Sequence, residues 1–133
     1  MPNETTSSPS NLPPAPHASK ADCLFCKIRD GQIPATVVHR DDRVLAFKDI
    51  GPKAPLHQLV IPLDHIETLA EADPAHEALL GHLMLTAAKL ARDAGLSDKG
   101  FRVVMNSGVG AGQTVFHMHL HVLAGRSFGW PPG

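Results

Sequence analysis

The most constraining feature of the chain is a run of three histidines at alternate positions near its C-terminal end. The segment 113–122 reads QTVFHMHLHV, with one apolar residue between successive histidines. Successive side chains of a β-strand point to opposite faces, so this pattern predicts a strand with one imidazole face and one apolar face. His117, His119 and His121 should share the imidazole face. The residues expected to pack against a helix are Phe116, Met118, Leu120 and Val122.

The rest of the chain predicts a small α+β domain built on an antiparallel sheet. Predicted strands cover residues 36–39, 44–47, 57–61, 101–106 and 114–123. A short helix covers 22–29, and one long helix begins at Asp73-Pro74, where the aspartate can cap the free amides, and stops at Gly95. The helix residues expected to face the core are Leu79, Leu80, Leu83, Met84, Ala87, Leu90 and Ala91. The order β-β-β-α-β-β with short connections favours an antiparallel sheet with helices on one face.

Composition excludes several classes of partner. The net charge is -1 and the basic residues are scattered, which argues against a nucleic-acid partner, since phosphate backbones need a concentrated basic face. No apolar run approaches the ~18 residues needed to span a membrane. Residues 1–20 are rich in Pro, Ser, Thr and Asn and lack the apolar centre of a secretory signal. We expect a disordered tail over 1–20, one domain over 21–133, and a cytoplasmic protein.

Three interpretations of the histidine strand are open from the residues alone. The imidazoles could form a solvated sheet face, a three-histidine metal site, or a catalytic site in which one imidazole attacks phosphorus. The preceding segment SGVGAGQ (107–113), which we call the glycine loop, offers many backbone N–H groups to an anion. Its position directly before the histidines favours phosphate chemistry.

Three segments carry a resemblance to a known family. GQTVFHMHLHVLAGR (112–126) resembles the histidine triad (HIT) motif, and WPPG (130–133) resembles the C-terminus of the Hint branch of that superfamily. FKDIGPKAPLHQLVIP (47–62) resembles the Hint segment that receives a nucleoside. The resemblance runs from about Asp22 to Gly133. It implies a purine nucleoside phosphoramidase that releases an AMP- or GMP-type nucleotide without a catalytic cofactor, as a homodimer whose sheets join.

The resemblance also implies roles for individual residues. His119 would be the nucleophile, His121 would contact the phosphate oxygens, and His117 would orient His119 through its backbone carbonyl. Thr114, where Hint proteins usually have serine, would place a hydroxyl near the leaving group. The other implied nucleotide contacts are Gly112, Gln113 and Asn106 at the phosphate, Asp49 at the ribose, and Ile50 at the base, with Phe25 and Ile28 as further pocket residues. Without the resemblance, Asp49 and Asn106 read equally well as turn residues.

The motif CLFC, with Cys23 and Cys26, raises a separate question. In a cytoplasmic protein such a pair is more often metal-binding or redox-active than a structural disulfide. Superfamily members with this pair bind a structural zinc, and the resemblance implies His57 and His117 as the remaining ligands of a closed site. A redox dithiol and two inert core thiols are the alternatives. His39, His65, His76 and His82 are expected on the surface or on a helix face.

Two alternatives to the phosphoramidase function follow from the same superfamily. One is a dinucleoside polyphosphate hydrolase, as in the Fhit branch, whose members do not end in WPPG. The other is a nucleotide-binding or scaffolding module with little turnover. Composition does not separate these alternatives.

Overall fold

One antiparallel sheet of five strands organises the part of the chain that the structure, a computed structural model, describes: residues 17–133. The strands are β1 (Val37–Arg40), β2 (Val44–Lys48), β3 (Leu56–Pro62), β4 (Phe101–Val104) and β5 (Leu120–Ala124). Their order in the sheet is β1-β2-β3-β5-β4, with every neighbouring pair antiparallel. The helices are α1 (Leu24–Arg29) and α2 (Glu77–Asp93). This confirms the predicted α+β fold with one long and one short helix.

Each face of the sheet has its own hydrophobic core. On one face, Met118, Leu120 and Val122 pack with residues of α2 such as Leu83 and Leu90. On the opposite face, strand residues pack against α1 and the cysteines. That second core contains Cys23, Phe25, Cys26, Leu45, Phe47, Leu59, Ile61 and Leu63. The expectation of helices on one face alone was wrong. Successive residues of the central strands are apolar, so both faces of the sheet present apolar side chains and each is covered by a helix.

The start of α2 follows the chemistry that the sequence predicts. The carboxylate of Asp73 accepts a hydrogen bond from the Ala75 amide at 2.8 Å, and a short 3₁₀ turn, Pro74–His76, leads into the helix. The buried stripe contains Leu83, Thr86, Ala87, Leu90 and Ala91. Met84 was predicted to face the core but is 52% exposed, because it lies one helical step, about 100°, from Leu83.

Strand β5 is shorter than the sequence pattern predicts. It begins at Leu120 rather than at residue 114, and β4 ends at Val104 rather than at residue 106. The backbone N–H of Met118 donates to Ile66 O at 2.7 Å, in the connection after β3, so this residue is bonded outside the sheet ladder. The alternation of faces nevertheless continues through 117–119, with Met118 in the α2 core and His119 next to the ring of Phe25. Phe116 lies outside the α2 core and lines a surface cavity.

Two of the histidines expected on the surface share one carboxylate. Nε2 of His39 and Nε2 of His82 lie 2.8 and 2.7 Å from Oδ2 of Asp41, and both imidazoles are partly buried. Oδ1 of Asp41 accepts from the amides of Arg43 and Val44. Desolvation opposes ionisation, but these hydrogen bonds hold the pKa of Asp41 well below its usual range. The cluster therefore connects the turn between β1 and β2 to α2.

The first described residues contact the domain. Arg29, although charged, is buried and donates to the carbonyls of Ala18 and Leu63 at 2.9 and 2.7 Å and to the hydroxyl of Ser19. Residues 17–20 of the predicted tail are thus in contact with the domain, and the predicted disorder of residues 1–16 lies outside the described residues. Between residues 17 and 133, no helix has the length and apolar character required to cross a bilayer.

Candidate active site and metal centre

A cavity of about 250 Å³ opens on the imidazole face of the sheet. Its apolar walls come from α1, the segment that precedes β1, and strands β2 and β3. The polar groups among its lining residues include Asp49, Thr114, His119 and His121. Of the other residues predicted for a nucleoside pocket, Phe25 and Ile28 line the wall and Ile50 lies fully exposed at the rim.

His119 is held in a single tautomer. Its Nδ1 lies 2.8 Å from the backbone carbonyl oxygen of His117, and a carbonyl can only accept, so Nδ1 carries the proton. Burial lowers the pKa of His119, against the opposing effect of this hydrogen bond, so the ring is neutral at pH 7. In the neutral ring, Nε2 then has a free lone pair, as a nucleophile requires.

His121 is held in the opposite tautomer by a chain of hydrogen bonds. The backbone N–H of Lys53 donates to Nδ1 of His57 at 3.0 Å, so the proton of neutral His57 is on Nε2. That Nε2–H donates to Nδ1 of His121 at 2.9 Å, which leaves the proton of His121 on its own Nε2. Burial, with the neighbouring rings of His119 and His57, lowers the pKa of His121 to about 4. His121 is therefore a neutral N–H donor beside His119.

The same chain argues against a metal ion at this end of the site. Donor atoms of Asp49, His57 and His121 lie within 4.8 Å of one another. A metal on Nε2 of His57 would shift the proton to Nδ1, where it would face the N–H of Lys53. The three side chains therefore fit a hydrogen-bonded relay, in which Oδ2 of Asp49 also lies 3.5 Å from Nε2 of His57.

The glycine loop directly precedes Thr114, which lines the cavity, and its Gly108 and Gly112 both have positive φ, at 91° and 96°. Gln113 was predicted to be one of the residues around the phosphate, but its side chain is buried and its amide group is hydrogen-bonded to other groups of the protein. Its Oε1 accepts from Gly108 N at 2.8 Å, and its Nε2 donates to Glu67 O and Val115 O at 2.7 and 3.0 Å. Asn106 lies next to Gly112. Neither Asn106 nor Gly112 lines the cavity itself.

A second cluster of titratable side chains lies under α1. Nδ1 of His117 is 3.4 and 3.6 Å from the sulfurs of Cys23 and Cys26, and 3.2 Å from Nδ1 of His65. Sγ of Cys26 is 3.4 Å from that same nitrogen of His65. Two sulfurs and two ring nitrogens thus converge within 4.8 Å of one another.

The prediction of His57 as a ligand of this cluster was wrong, and His65 takes its place. His57 is the second residue of β3, near one end of the strand, whereas the cluster lies at the other end, where Nε2 of His117 contacts Pro62 O at 2.8 Å. At about 3.3 Å per residue, His57 and Pro62 are roughly 16 Å apart. His65 was expected on the surface, but its side chain is only 10% exposed.

The donor set suits a structural zinc. Nε2–H of His117 donates to the Pro62 carbonyl, which leaves the Nδ1 lone pair directed at the cysteines, the usual outer-shell arrangement of a metal-bound histidine. Nε2 of His65 is buried without a hydrogen-bond partner among the described residues and lies 3.8 Å from Glu67. Burial raises the pKa of the Cys23 thiol, and a raised pKa disfavours a redox-active dithiol, which needs a thiolate. A bound cation would lower this pKa again.

The comparisons with known proteins agree with the fold. The family model described as HIT domain matches residues 30–128, and the chain belongs to the HIT family. An uncharacterised HIT-like protein of Synechocystis sp. is 53% identical over 112 residues, which cover 84% of this chain and 97% of that protein. The structure of a HIT family hydrolase from Legionella pneumophila is similar with a TM-score of 0.83 and 51% identity, over 84% of this chain and all of the other (100%). A histidine triad nucleotide-binding protein from Candida albicans has a TM-score of 0.69 and 30% identity, over 82% of each chain.

Proposed function

We propose that the protein is a hydrolase of the Hint type, which cleaves the P–N bond of purine nucleoside 5'-phosphoramidates through a covalent nucleotidyl-histidine. The observation that carries this proposal is the 2.8 Å contact of His119 Nδ1 with His117 O, because it leaves a nucleophilic lone pair on Nε2. The similarity to a HIT family hydrolase supports the reaction class, and the similarity to a histidine triad nucleotide-binding protein supports the ligand class.

The nucleoside would bind in the 250 Å³ cavity. The base fits between apolar side chains of α1 and the strands, with Phe25 and Ile28 among them. Oδ1 of Asp49 is held by the Gly51 amide at 2.7 Å, and the carboxylate keeps acceptor capacity for the ribose hydroxyls. The phosphate would meet Nε2–H of His121 and those backbone amides of the glycine loop that do not already donate inside it, since the amides of Gly108, Ala111, Gly112 and Gln113 are bonded within the loop.

The reaction would proceed in two displacements. In the first, Nε2 of His119 attacks the phosphorus, and the P–N bond breaks as the amine departs with the bonding electron pair and takes up a proton from solvent. The hydroxyl of Thr114 lies in the cavity wall, where it can donate a hydrogen bond to the leaving group. The nucleotidylated ring carries a positive charge, which the His117 carbonyl stabilises through Nδ1–H. Water then attacks the phosphorus, the P–Nε2 bond breaks with its electron pair returning to His119, the water loses a proton to solvent, and the nucleoside monophosphate is released.

The direct test is hydrolysis of adenosine 5'-phosphoramidate by the wild-type protein and by His119→Ala. The proposal predicts AMP release by the wild type, none above background by the variant, and similar AMP binding by both. Equal hydrolysis by both proteins would contradict the nucleophile assignment. AMP binding without turnover in either would favour the binding module, and faster cleavage of a diadenosine polyphosphate would favour the Fhit-type reaction.

The cysteine cluster carries a second part of the proposal, a structural zinc held by Cys23, Cys26, His65 and His117. A closed site of two sulfurs and two nitrogens contributes folding energy rather than chemistry. His117 would then serve both sites, with its ring on the metal and its carbonyl on His119.

The oligomeric state is the third part, a homodimer formed through β4 and α2. Strand β4 is an edge of the sheet, and an edge strand is protected when it pairs with another copy. Beside it lies an apolar depression of about 230 Å³. The depression is lined by Leu69, Leu80, Leu83, Met84, Met105 and Leu120.

A further inference from the structure

The connection between β3 and α2 offers two consecutive carbonyls to the active-site region. Ile66 O accepts from the backbone N–H of Met118 at 2.7 Å, between His117 and the nucleophile. Glu67 O accepts from Nε2 of Gln113 at 2.7 Å, at the end of the glycine loop. Residues 114–119 have no helix or strand between these two anchors. The distance from the loop to His119 is therefore set by the connection rather than by regular secondary structure.

Gln113 also closes the glycine loop on itself. Its Oε1 accepts from Gly108 N at 2.8 Å, and its own backbone N–H donates to Gly108 O at 3.1 Å. Its Nε2 has a second acceptor in Val115 O at 3.0 Å. The residue is 4% exposed, so these hydrogen bonds are shielded from water. One acceptor facing one N–H, and two donors facing two carbonyls, match the functional groups of a glutamine amide.

We propose that Gln113 is a positioning residue that fixes the glycine loop relative to Nε2 of His119 through residues 66 and 67. The inference rests on the proposed function, in which the loop amides hold the phosphate that His119 attacks. A displacement of about 1 Å between the reacting groups can cost on the order of 100-fold in rate. The two anchors, Ile66 O for the nucleophile and Glu67 O for the loop, are adjacent peptide groups, so they keep the two halves of the site in register.

Two substitutions separate this role from simple packing. Gln113→Met keeps the length of the side chain but leaves Gly108 N and two carbonyls without partners. Gln113→Glu keeps an acceptor for Gly108 N but turns a second oxygen toward Glu67 O and Val115 O. The matched control is Thr86→Val, which removes another buried hydrogen bond, from the Thr86 hydroxyl to His82 O at 2.7 Å, in α2.

The experiment compares kcat for adenosine 5'-phosphoramidate with the affinities for AMP and for adenosine. Both Gln113 variants should lose roughly 10–100-fold in kcat and bind AMP more weakly, because the loop and the nucleophile are out of register. They should bind adenosine like the wild type, since the base and ribose contacts are elsewhere. Thr86→Val should lose stability but keep kcat. Values of kcat within twofold of this control, or an equal loss of adenosine and AMP affinity, would overturn the inference.

A readout that does not depend on activity distinguishes this inference from the proposed function. Amide exchange at Gly108 should accelerate at least tenfold in Gln113→Met and stay unchanged in Thr86→Val. If the wild-type protein neither binds nor hydrolyses the nucleotide, the proposed function fails. Unchanged protection of Gly108 in Gln113→Met would overturn the anchoring role of Gln113 in either case.

Discussion

The backbone carbonyl of His117 accepts the Nδ1–H of His119 at 2.8 Å, while the ring of His117 lies 3.4 Å from the sulfur of Cys23. One residue thus joins the nucleophile to the cysteine cluster. Its Nε2–H bond to Pro62 O fixes both the ring and, through the backbone, the carbonyl. A change in the cysteine cluster should therefore shift the nucleophile. Among the proposed metal ligands of the described chain, His117 alone is hydrogen-bonded to His119.

The metal centre predicts different behaviour of two buried histidines. His65→Ala removes a proposed ligand and should abolish zinc retention, whereas His57→Ala leaves the four donors intact and should keep the metal. The stability lost with the metal is about 2.7 kcal/mol when free zinc is a hundredfold above its dissociation constant. Elemental analysis and urea unfolding of both variants, prepared without chelator, test this. Zinc retained by His65→Ala, or lost from His57→Ala, would contradict the assignment.

The pH dependence of turnover should reflect the lowered pKa values of the catalytic imidazoles. Burial lowers the pKa of His119 and, with neighbouring rings, that of His121 to about 4. Protonation of His119 would remove its lone pair, so activity is present above that pKa and lost as pH falls through it. We expect the fall in kcat/KM on acidification to lie below pH 6.5, the ordinary value for a histidine. A decline centred at 6.5, with metal content and fold unchanged, would show that the histidines titrate as in water.

Asp41 should contribute stability that depends on its charge. Because hydrogen bonds lower its pKa in the folded protein, its contribution is present above the unfolded value near 3.9 and is lost as pH falls below it. Asp41→Asn should cost about 1–3 kcal/mol at pH 7. The neighbouring Asp42, 92% exposed, supplies the matched control, and Asp42→Asn should change stability by less than about 0.5 kcal/mol. Urea unfolding at pH 7 and pH 3 measures both, and equal effects of the two variants would contradict the role of the His39–Asp41–His82 cluster.

The homodimer predicts an asymmetry between the two sheet edges. Met84→Glu places a charge in the apolar depression beside β4 and should convert the protein to a monomer. Val37→Glu changes an exposed apolar residue on β1, the opposite edge, and should leave the dimer intact. Sedimentation velocity of both variants and the wild type is the measurement. A monomeric wild type, or dissociation by Val37→Glu alone, would contradict this interface.

Sequence periodicity predicted the sheet and its faces well but failed where a contact depends on three-dimensional register. The alternation in 117–122 placed Met118, Leu120 and Val122 in the core correctly, since period two is a local property. It did not show that Met118 leaves the ladder for Ile66. The choice of His57 over His65 failed because only the fold shows which end of β3 meets the cysteines.

Polar side chains were the hardest to predict. Gln113 belongs to a glycine-rich segment that is typical of a phosphate-binding loop. Nothing in the local sequence indicates that its side-chain amide is hydrogen-bonded to Gly108, Val115 and Glu67, the last of which is 46 positions away. Asp41 and His82 are 41 positions apart and meet only because α2 crosses the β1–β2 turn. The stripe of α2 was predicted except at two positions: Thr86, which was not predicted to face the core, is buried, and Met84, an apolar side chain at the margin of the stripe, stays exposed. An apolar side chain there is consistent with a surface that another copy covers.

The measurement that tests the central claim most directly is rapid quenching of the wild-type protein during turnover of adenosine 5'-phosphoramidate, followed by mass analysis of the intact chain and its peptides. The account predicts a transient adenylyl adduct that maps to His119, forms at least as fast as AMP is released, and is absent from His119→Ala. Turnover without any adduct, or an adduct on His121 or another residue, would contradict it.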